Sequence, residues 1–182
     1  MKPERLSRTV VYENPWVSLY VDKVQLPGGR VLDEHHVLHF GHEAVAVLVE
    51  DDRQQLLLVN VYRYVTDTVE WEVPAGVIED GEAALDAARR EVREESGYET
   101  ADHELLYTYC PMYGIADEVF HIARCRATKK LGDFDRNEVR AFRWASREEI
   151  RKMIGDGSIK GGFSLTALLL HLTVLHGGHD HG

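Results

Sequence analysis

Apolar and polar residues alternate with a period of two along several short stretches of the chain, as in half-buried β-strands. Turn-forming residues separate these stretches, notably at positions 27–29 and 51–53. The first 40 residues therefore form an antiparallel β extension ahead of the remaining elements. The predicted strands are residues 10–12, 17–25, 31–38, 44–49, 55–62, 70–73, 103–109, 119–126 and 139–144.

Three segments change to a helical pattern. An Ala-, Glu- and Arg-rich run predicts a helix that ends near Ser96. Ser146 and Glu149 have the spacing of a capping box, which starts a short helix that ends near Ile154. Ser164 begins a final amphipathic helix that ends near Gly177. Strands that alternate with helices predict an α/β fold with a mixed sheet between helices.

The first helix carries three closely spaced carboxylates, Glu91, Glu94 and Glu95. At about 100° per residue they fall within an arc of roughly 100°. Apolar residues of the helix occupy an overlapping arc, so the acids lie where the helix meets the core. Carboxylates crowded at such a place repel one another unless a cation joins them. Oxygen ligands at this spacing suit Mg²⁺ or Mn²⁺.

The run GVIEDGEAALDAARREVREESGY resembles the Nudix box at every constrained position. The alternative, a charged surface helix with Glu–Arg pairs one turn apart, does not account for a complete match. The resemblance implies the α/β/α sandwich of the Nudix family over roughly residues 42–155. The matching residues are Gly76, Glu82, Arg90, Glu91, Val92, Glu94, Glu95, Gly97 and Tyr98.

The resemblance also implies a metal site. In this family the helix glutamates and a loop carbonyl bind Mg²⁺, for which Mn²⁺ can substitute. The corresponding ligands here are Glu91, Glu94, Glu95 and the carbonyl of Ala75. Arg90 would orient these ligands, with Glu82 as its salt-bridge partner.

Sequence beside the box resembles the ADP-ribose pyrophosphatase branch of the family. A Tyr-Arg pair precedes Glu-Trp-Glu-Val-Pro-Ala-Gly, and the branch implies that Arg63 contacts a substrate phosphate or ribose. Glu72 would lie near the site. The alternative for Arg63 is a plain surface charge.

Residues 114–118 resemble a Gly-x-x-Asp-Glu turn of the same branch. Glu118 would accept hydrogen bonds from substrate hydroxyls or stabilise the turn. Tyr113 stands where ADP-ribose-specific members commonly have Pro, and it either stacks on a base or sugar or packs under the turn. Trp16 is a candidate base-stacking residue across a dimer interface, with interface or core packing as its alternative.

A general base must activate the attacking water. Residues 133–139 resemble the acidic loop that carries this base in the branch, and Glu138 occupies the expected position. A solvated acidic loop is the alternative. Glu91 or Glu94 could serve as the base instead.

Composition narrows the class of protein. The chain has 182 residues and a formal charge of −10, which disfavours nucleic acid and anionic membranes as partners. Cys110 and Cys125 are expected to be core thiols in a reducing cytosol. The N-terminus has no signal-like apolar region, so the protein is expected to be cytoplasmic. We expect a β extension that forms a homodimer at residues 1–41, a Nudix domain at 42–176 and a flexible His/Gly tail at 177–182.

These features predict a Mg²⁺-dependent pyrophosphohydrolase. Its substrate would be ADP-ribose or a related nucleoside diphosphate sugar, cleaved to a nucleoside monophosphate and a sugar phosphate. A GDP-mannose hydrolase and a dinucleoside polyphosphate hydrolase are alternatives of the same class. An ADP-ribose sensor without catalysis is an alternative of another class.

Overall fold

The computed structural model of the chain describes residues 1–174, which form two compact units. The first unit comprises residues 1–43 and 108–120. The second comprises residues 44–107 and the described residues from 121 onward. The predicted His/Gly tail, residues 177–182, lies outside the described residues.

The first unit contains a three-stranded antiparallel sheet of β1 (Glu4–Glu13), β2 (Val17–Gln25) and β3 (Val31–Phe40). An ion pair joins the outer strand β1 to β2, because Arg8 donates two hydrogen bonds of 2.7 Å to the Asp22 carboxylate. Asp22 is buried, and its pKa is lowered by the hydrogen bonds from Arg8.

Residues 108–120 of the first unit are bonded to β3. The backbone N–H of Leu38 donates to the carbonyl of Ile115 at 2.7 Å. Asp117 accepts a hydrogen bond from the backbone N–H of Phe40 at 3.0 Å and contacts His39 Nδ1 at 2.6 Å. Asp117 therefore stabilises this turn, one of the two roles that the sequence suggested for its neighbour Glu118.

The second unit is built on a seven-stranded sheet. Its main path runs in the order β10-β5-β4-β9-β8, with β6 beside β5 and β7 beside β4. The strands are β4 (Ala44–Glu50), β5 (Leu56–Arg63), β6 (Thr68–Glu72), β7 (Ala75–Val77), β8 (Tyr98–Tyr109), β9 (Phe120–Lys130) and β10 (Val139–Ala145).

Helices cover both faces of this sheet. They are α1 (Ala84–Ser96), α2 (Arg147–Gly155) and α3 (Gly162–Thr173). Odd-numbered residues of β4, such as Val47, pack in one core cluster with Ala88 and Val92 of α1. On the other face, Glu50 of β4 lies 3.5 Å from His171 of α3. The predicted α/β sandwich with a mixed sheet is therefore confirmed.

The capping box at the start of α2 is also confirmed. Ser146 accepts a hydrogen bond from the backbone N–H of Glu149, and the Glu149 side chain accepts one from the backbone N–H of Ser146.

Several predicted boundaries are wrong. β1, β8 and β9 are longer than predicted, since strand pairing orders polar residues that show no alternation. Ala75, expected to supply a loop carbonyl, is instead the first residue of β7, which pairs with β4. α3 begins at Gly162, two residues before Ser164, and Ser164 lies within it, where its hydroxyl accepts a hydrogen bond from the Val73 N–H.

α3 differs from its prediction in two further ways. It ends at Thr173, earlier than the predicted end near Gly177, which is outside the described residues. It is not clearly amphipathic, because leucines lie on both its buried and its exposed side: Leu168 is buried and Leu169 is exposed.

The cysteine prediction is half right. Cys125 is buried and its thiol pKa is raised to about 12 by burial, whereas Cys110 is exposed.

None of the helices in residues 1–174 combines the length and the apolar character that a membrane span needs.

Gly97 ends α1 in a left-handed conformation (φ 74°), and its N–H donates to the Arg93 carbonyl at 2.8 Å. Its own carbonyl accepts a hydrogen bond from the Leu131 N–H at 2.9 Å. A Cβ added at Gly97 would lie 2.3 Å from the carbonyl oxygen of Gly132. The end of α1 therefore requires glycine for two separate reasons.

We predict that Gly97→Ala lowers the free energy of unfolding more than Gly157→Ala does. Both glycines have φ near 75°, but a Cβ at Gly157 would meet no atom within 4 Å. The control should lose about 1 kcal/mol, the cost of the left-handed conformation. Gly97→Ala adds a clash with backbone and should lose at least about 2 kcal/mol. Equal losses in urea unfolding would show that the close approach to Gly132 contributes nothing.

Candidate active site

α1 places the acidic cluster at the boundary between core and solvent. Glu91 and Glu95 are one turn apart and each is 7% exposed, beside the buried Val92 and Ala88. The side chain of Glu94 is half exposed. The helix therefore buries two of the three predicted ligands and leaves the third at the edge.

Arg90 holds this cluster to the residues before the helix. It donates to both carboxylate oxygens of Glu82 at 3.0 and 2.9 Å and to the carbonyl of Val77 at 2.9 Å. It also donates to Glu91 at 2.7 Å and reaches Glu94 at 3.4 Å. The predicted pairing of Arg90 with Glu82 is thus present, and it lowers the pKa of Glu82.

The backbone at residues 75–76 lies against the buried carboxylates. The N–H of Ala75 donates to Glu95 at 3.1 Å. A Cβ added at Gly76 would lie 1.9 Å from a carboxylate oxygen of Glu91, so any larger residue would displace that carboxylate. Pairing of Gly76 with Val45 of β4 fixes this backbone in place.

A cavity of about 410 Å³ opens in front of these groups. Glu91, Glu95 and Glu138 line it together with Ala75 and Arg63. These residues come from four different parts of the second unit, and the fold brings them to one place.

Glu138 reaches the cavity because its loop is anchored at both ends. The N–H of Asp135 donates to the Glu94 carbonyl at 2.8 Å, which ties the loop to α1. Val139, the next residue after Glu138, is buried against Val59 and Val61 of β5.

Electrostatics in the cavity favour an added cation. Burial raises the pKa of Glu95 to about 8, and the negative charge of Glu91 adds to this effect. Burial also raises the pKa of Glu91, although Arg90 opposes the shift. Because both carboxylates are harder to ionise than usual, a cation between them would stabilise their charged form.

The donor set fits a hard divalent ion. Among residues 1–174, no group of three or more His, Cys, Asp or Glu side chains is arranged to hold a metal ion by itself. Mg²⁺ does not require one, since it is often bound by one or two carboxylates together with waters and substrate phosphates. The Glu91 and Glu95 carboxylates, beside the backbone at Ala75, are oxygen donors of the kind that such binding needs.

Arg63 lines this cavity and also a second one of about 650 Å³, which includes residues of the β5–β6 turn and the start of α3. It forms a two-pronged ion pair with Glu72, donating from Nε to one carboxylate oxygen at 2.8 Å and from Nη2 to the other. Glu72 is 7% exposed, whereas half of the Arg63 side chain is accessible. The guanidinium is therefore held in a fixed orientation while part of it faces solvent.

The remaining predicted residues belong to the first unit. Trp16 is 63% exposed and its ring lies 5.1 Å from that of His42. Tyr113 is 87% exposed. Glu118 is partly buried, which raises its pKa. Substrate binding by these three residues stays a prediction.

A larger cavity, about 720 Å³, lies on another side of α1 and is lined by Asp86, Arg89 and Arg93 among others. Arg89 is already paired with Asp86 at 2.8 Å, and these residues are exposed. Volume alone would select this cavity, but buried carboxylates with raised pKa values are found at the smaller one. Glu94 lines the larger cavity and not the smaller.

Sequence reasoning missed two features of the second unit. It did not single out Asn137, which lines the 410 Å³ cavity beside Glu138. It also missed that Glu70 and Glu72, two apart on β6, are both buried on one face. The alternation Glu-Trp-Glu could have indicated this, since buried glutamates normally have partners.

Comparisons with known proteins agree with this geometry. The sequence model of the NUDIX domain matches residues 41–161, and that of the nucleoside diphosphate sugar hydrolase N-terminal domain matches residues 4–38. A CMP-5'-(N-acetyl-N-hydroxy-3-aminopropyl)phosphonate hydrolase of Streptomyces rubellomurinus is 32% identical over 149 residues, which cover 81% of this chain and 71% of that protein.

The names of one further sequence relative and of one similar solved structure refer to ADP compounds. An ADP-ribose pyrophosphatase of Bacillus subtilis is 30% identical over 122 residues, covering 67% of this chain and 65% of that protein. A solved structure described as an ADP compounds hydrolase superposes with a TM-score of 0.82 at 20% identity, covering 93% of this chain and 92% of the other. This last likeness concerns the fold alone.

The NUDIX match covers well over half of the chain, and it includes α1, the Gly76 backbone and the Glu138 loop. The chain therefore belongs to the Nudix family and is a Nudix hydrolase.

Proposed function

We propose that this Nudix hydrolase cleaves the diphosphate of ADP-ribose or a related nucleoside diphosphate sugar, with Mg²⁺ as cofactor. The observation that carries the proposal is the convergence of Glu91, Glu95, Glu138 and Arg63 on one cavity. The names of the Bacillus subtilis relative and of the N-terminal family model support the substrate class.

Glu91, Glu95 and the Ala75 carbonyl would hold the metal. Glu94, the third predicted ligand, does not line this cavity and would have to turn its half-exposed side chain toward the ion. Nudix hydrolases generally use a divalent metal. When bound, the ion would neutralise charge on the diphosphate oxygens and acidify a bound water. Mn²⁺ has the same preference for oxygen ligands and could substitute.

The protein side chains have separate tasks in this proposal. Glu138 takes a proton from the attacking water, since its carboxylate lines the same cavity. Arg63 donates from its exposed edge to a phosphate oxygen while Glu72 fixes its other edge. Arg90 keeps Glu91 in position through its bonds to Glu82 and Val77.

A GDP-mannose or dinucleoside polyphosphate hydrolase would use the same groups on another substrate. A sensor without catalysis need not keep a set of metal-binding carboxylates, which are costly to bury without a bound cation. The buried Glu95 therefore favours an enzyme over a sensor.

We predict that activity requires an added divalent ion and that Glu95→Gln lowers kcat/KM at least about 100-fold. The amide can still accept the Ala75 N–H, so folding should be retained. Product chromatography would follow ADP-ribose, GDP-mannose, UDP-glucose, NADH and diadenosine polyphosphates with Mg²⁺ or Mn²⁺.

Glu99→Gln is the matched control, because Glu99 is exposed and does not line the cavity. It should stay within about two-fold of the unmodified protein. Preferred cleavage of another substrate would replace ADP-ribose in the proposal. Tight binding of ADP-ribose without hydrolysis would show that the protein is a sensor and not an enzyme.

We predict that Glu138→Gln lowers kcat by about 100-fold or more with little change in KM, because a general base contributes about 10²–10⁴. Glu148→Gln, at an exposed position of α2, serves as control. Unchanged kcat in Glu138→Gln would move the base to Glu91 or Glu94.

We also propose a homodimer formed through the first unit. Every residue of β1 is exposed, including Leu6, Val10 and Val11, and β1 pairs on one edge with β2. An exposed strand edge with apolar side chains is a natural site for association with a second copy.

We predict that light scattering gives a molar mass of two chains for the unmodified protein. The Val10→Glu variant should have the mass of one chain. A charge buried at the interface would lack a partner. Leu131→Glu, at another exposed apolar position, should leave the dimer intact. A single-chain mass for the unmodified protein would exclude the dimer.

A further inference from the structure

Ser164 of α3 bonds to a part of the chain that lies 91 residues earlier in the sequence. Its hydroxyl accepts a hydrogen bond of 3.1 Å from the backbone N–H of Val73, and the residue is 1% exposed. A hydroxyl within a helix often donates to the carbonyl four residues before it, as Thr166 does to Gly162 at 2.7 Å. The Ser164 hydroxyl instead contacts another segment.

The N–H of Val73 depends on this contact. Val73 lies between the end of β6 and the start of β7, and it is 1% exposed. The pairings of β6 with β5 and of β7 with β4 do not include it. A buried N–H without a partner is costly, so the Ser164 hydroxyl allows the chain to be buried at this point.

The chain from Val73 to Ala75 is held at three successive points. The first is the bond from the Val73 N–H to α3. At the second, the N–H of Val47 in β4 donates to the Pro74 carbonyl at 2.8 Å. At the third, the Ala75 N–H donates to Glu95 of α1 at 3.1 Å. Because peptide groups are planar and the proline ring fixes φ, these bonds leave the segment little freedom.

The start of α3 contacts the preceding strand β6 as well. Lys160 Nζ lies 3.4 Å from the Glu70 carboxylate. A Cβ added at Gly161 would lie 3.7 Å from the carboxylate carbon of Glu72, which is ordinary van der Waals contact. The Ser164 bond therefore belongs to a continuous contact between the start of α3 and the chain that leads to Ala75.

We propose that Ser164 is a positioning residue for the metal site. Its hydroxyl holds Val73 and so keeps the backbone at Ala75 beside Glu91 and Glu95. This inference rests on the proposed function, in which the Ala75 carbonyl is a metal ligand. Ser164 does not line the cavity that contains these carboxylates, so it acts on the metal through the backbone.

The test measures Mn²⁺ binding to the substrate-free protein by titration calorimetry, with Ser164→Ala as the variant. Without the hydroxyl the Val73 N–H loses its partner, and the backbone at Ala75 is held less firmly. The Mn²⁺ dissociation constant should rise about ten-fold, as is usual when an outer-shell partner of a metal site is removed. The Mg²⁺ concentration that gives half-maximal hydrolysis should rise in proportion, while kcat at saturating Mg²⁺ stays nearly unchanged.

Amide hydrogen exchange adds a measurement that does not need the metal. In Ser164→Ala the N–H groups of Val73 and Ala75 should exchange about ten-fold faster than in the unmodified protein, because local opening becomes easier. Faster exchange at Val73 alone would show that the contact does not reach Ala75, and it would overturn the proposal.

Two control variants separate position from stability. Thr166→Ala removes a hydroxyl that bonds only within α3. Gly157→Ala strains a glycine with φ 75° and lowers stability at a point where a Cβ would meet no atom within 4 Å. Both should keep Mn²⁺ binding within about two-fold of the unmodified protein. Weakening in Gly157→Ala equal to that in Ser164→Ala would show that lost stability is the cause, against the proposal.

A second variant at the same position decides the matter if Ser164→Ala does not fold. Ser164→Cys fills a similar space with a thiol, which is only a weak acceptor, so Mn²⁺ binding should weaken about three-fold. Unchanged Mn²⁺ binding in Ser164→Cys, or in a folded Ser164→Ala, would overturn this inference and leave the proposed function standing. Absence of Mn²⁺ binding by the unmodified protein would instead refute the proposed function, and this inference with it.

Discussion

The contact between Arg90 and its carboxylate partners is the interaction on which the proposed active site depends. One guanidinium binds Glu82, Glu91 and the Val77 carbonyl, and so connects α1 to the segment that precedes it. Without this cation, Glu91 would face Glu95 in a buried place with no positive charge bonded to it. Burial already raises the pKa of both acids. Arg90 thus allows two carboxylates to be held close together before any metal is present.

The same constraint explains the backbone around the helix. Gly76 must lack a side chain because the Glu91 carboxylate occupies that space. Gly97 must lack one because the chain turns there and the Gly132 carbonyl lies close by. These two glycines, at either end of the box, let β7 and the Glu138 loop approach α1. The motif therefore encodes close backbone packing as well as ligands.

Much of this could be predicted from the sequence, because the information is local. The spacing of Glu91 and Glu95 in a strong helix former places both on one face, and Ser146 with Glu149 marks a helix start. What could not be predicted depends on partners far apart in the chain. β7 exists because β4 pairs with it, and Asp135 is fixed by a bond to the Glu94 carbonyl. Neither contact leaves a periodic signal in its own segment.

Two adjoining cavities of the second unit differ in the charge of the residues that line them. Glu91, Glu95 and Glu138 line the smaller cavity with Arg63. Arg90 already pairs with Glu91 and Glu72 with Arg63, so Glu95 and Glu138 are the carboxylates left for a metal cation to balance. The second cavity has equal numbers of cations and carboxylates and apolar walls. A chain with a formal charge of −10 repels a bare polyphosphate. In the proposed function a bound metal supplies the missing positive charge, and this is what lets an acidic chain accept a diphosphate.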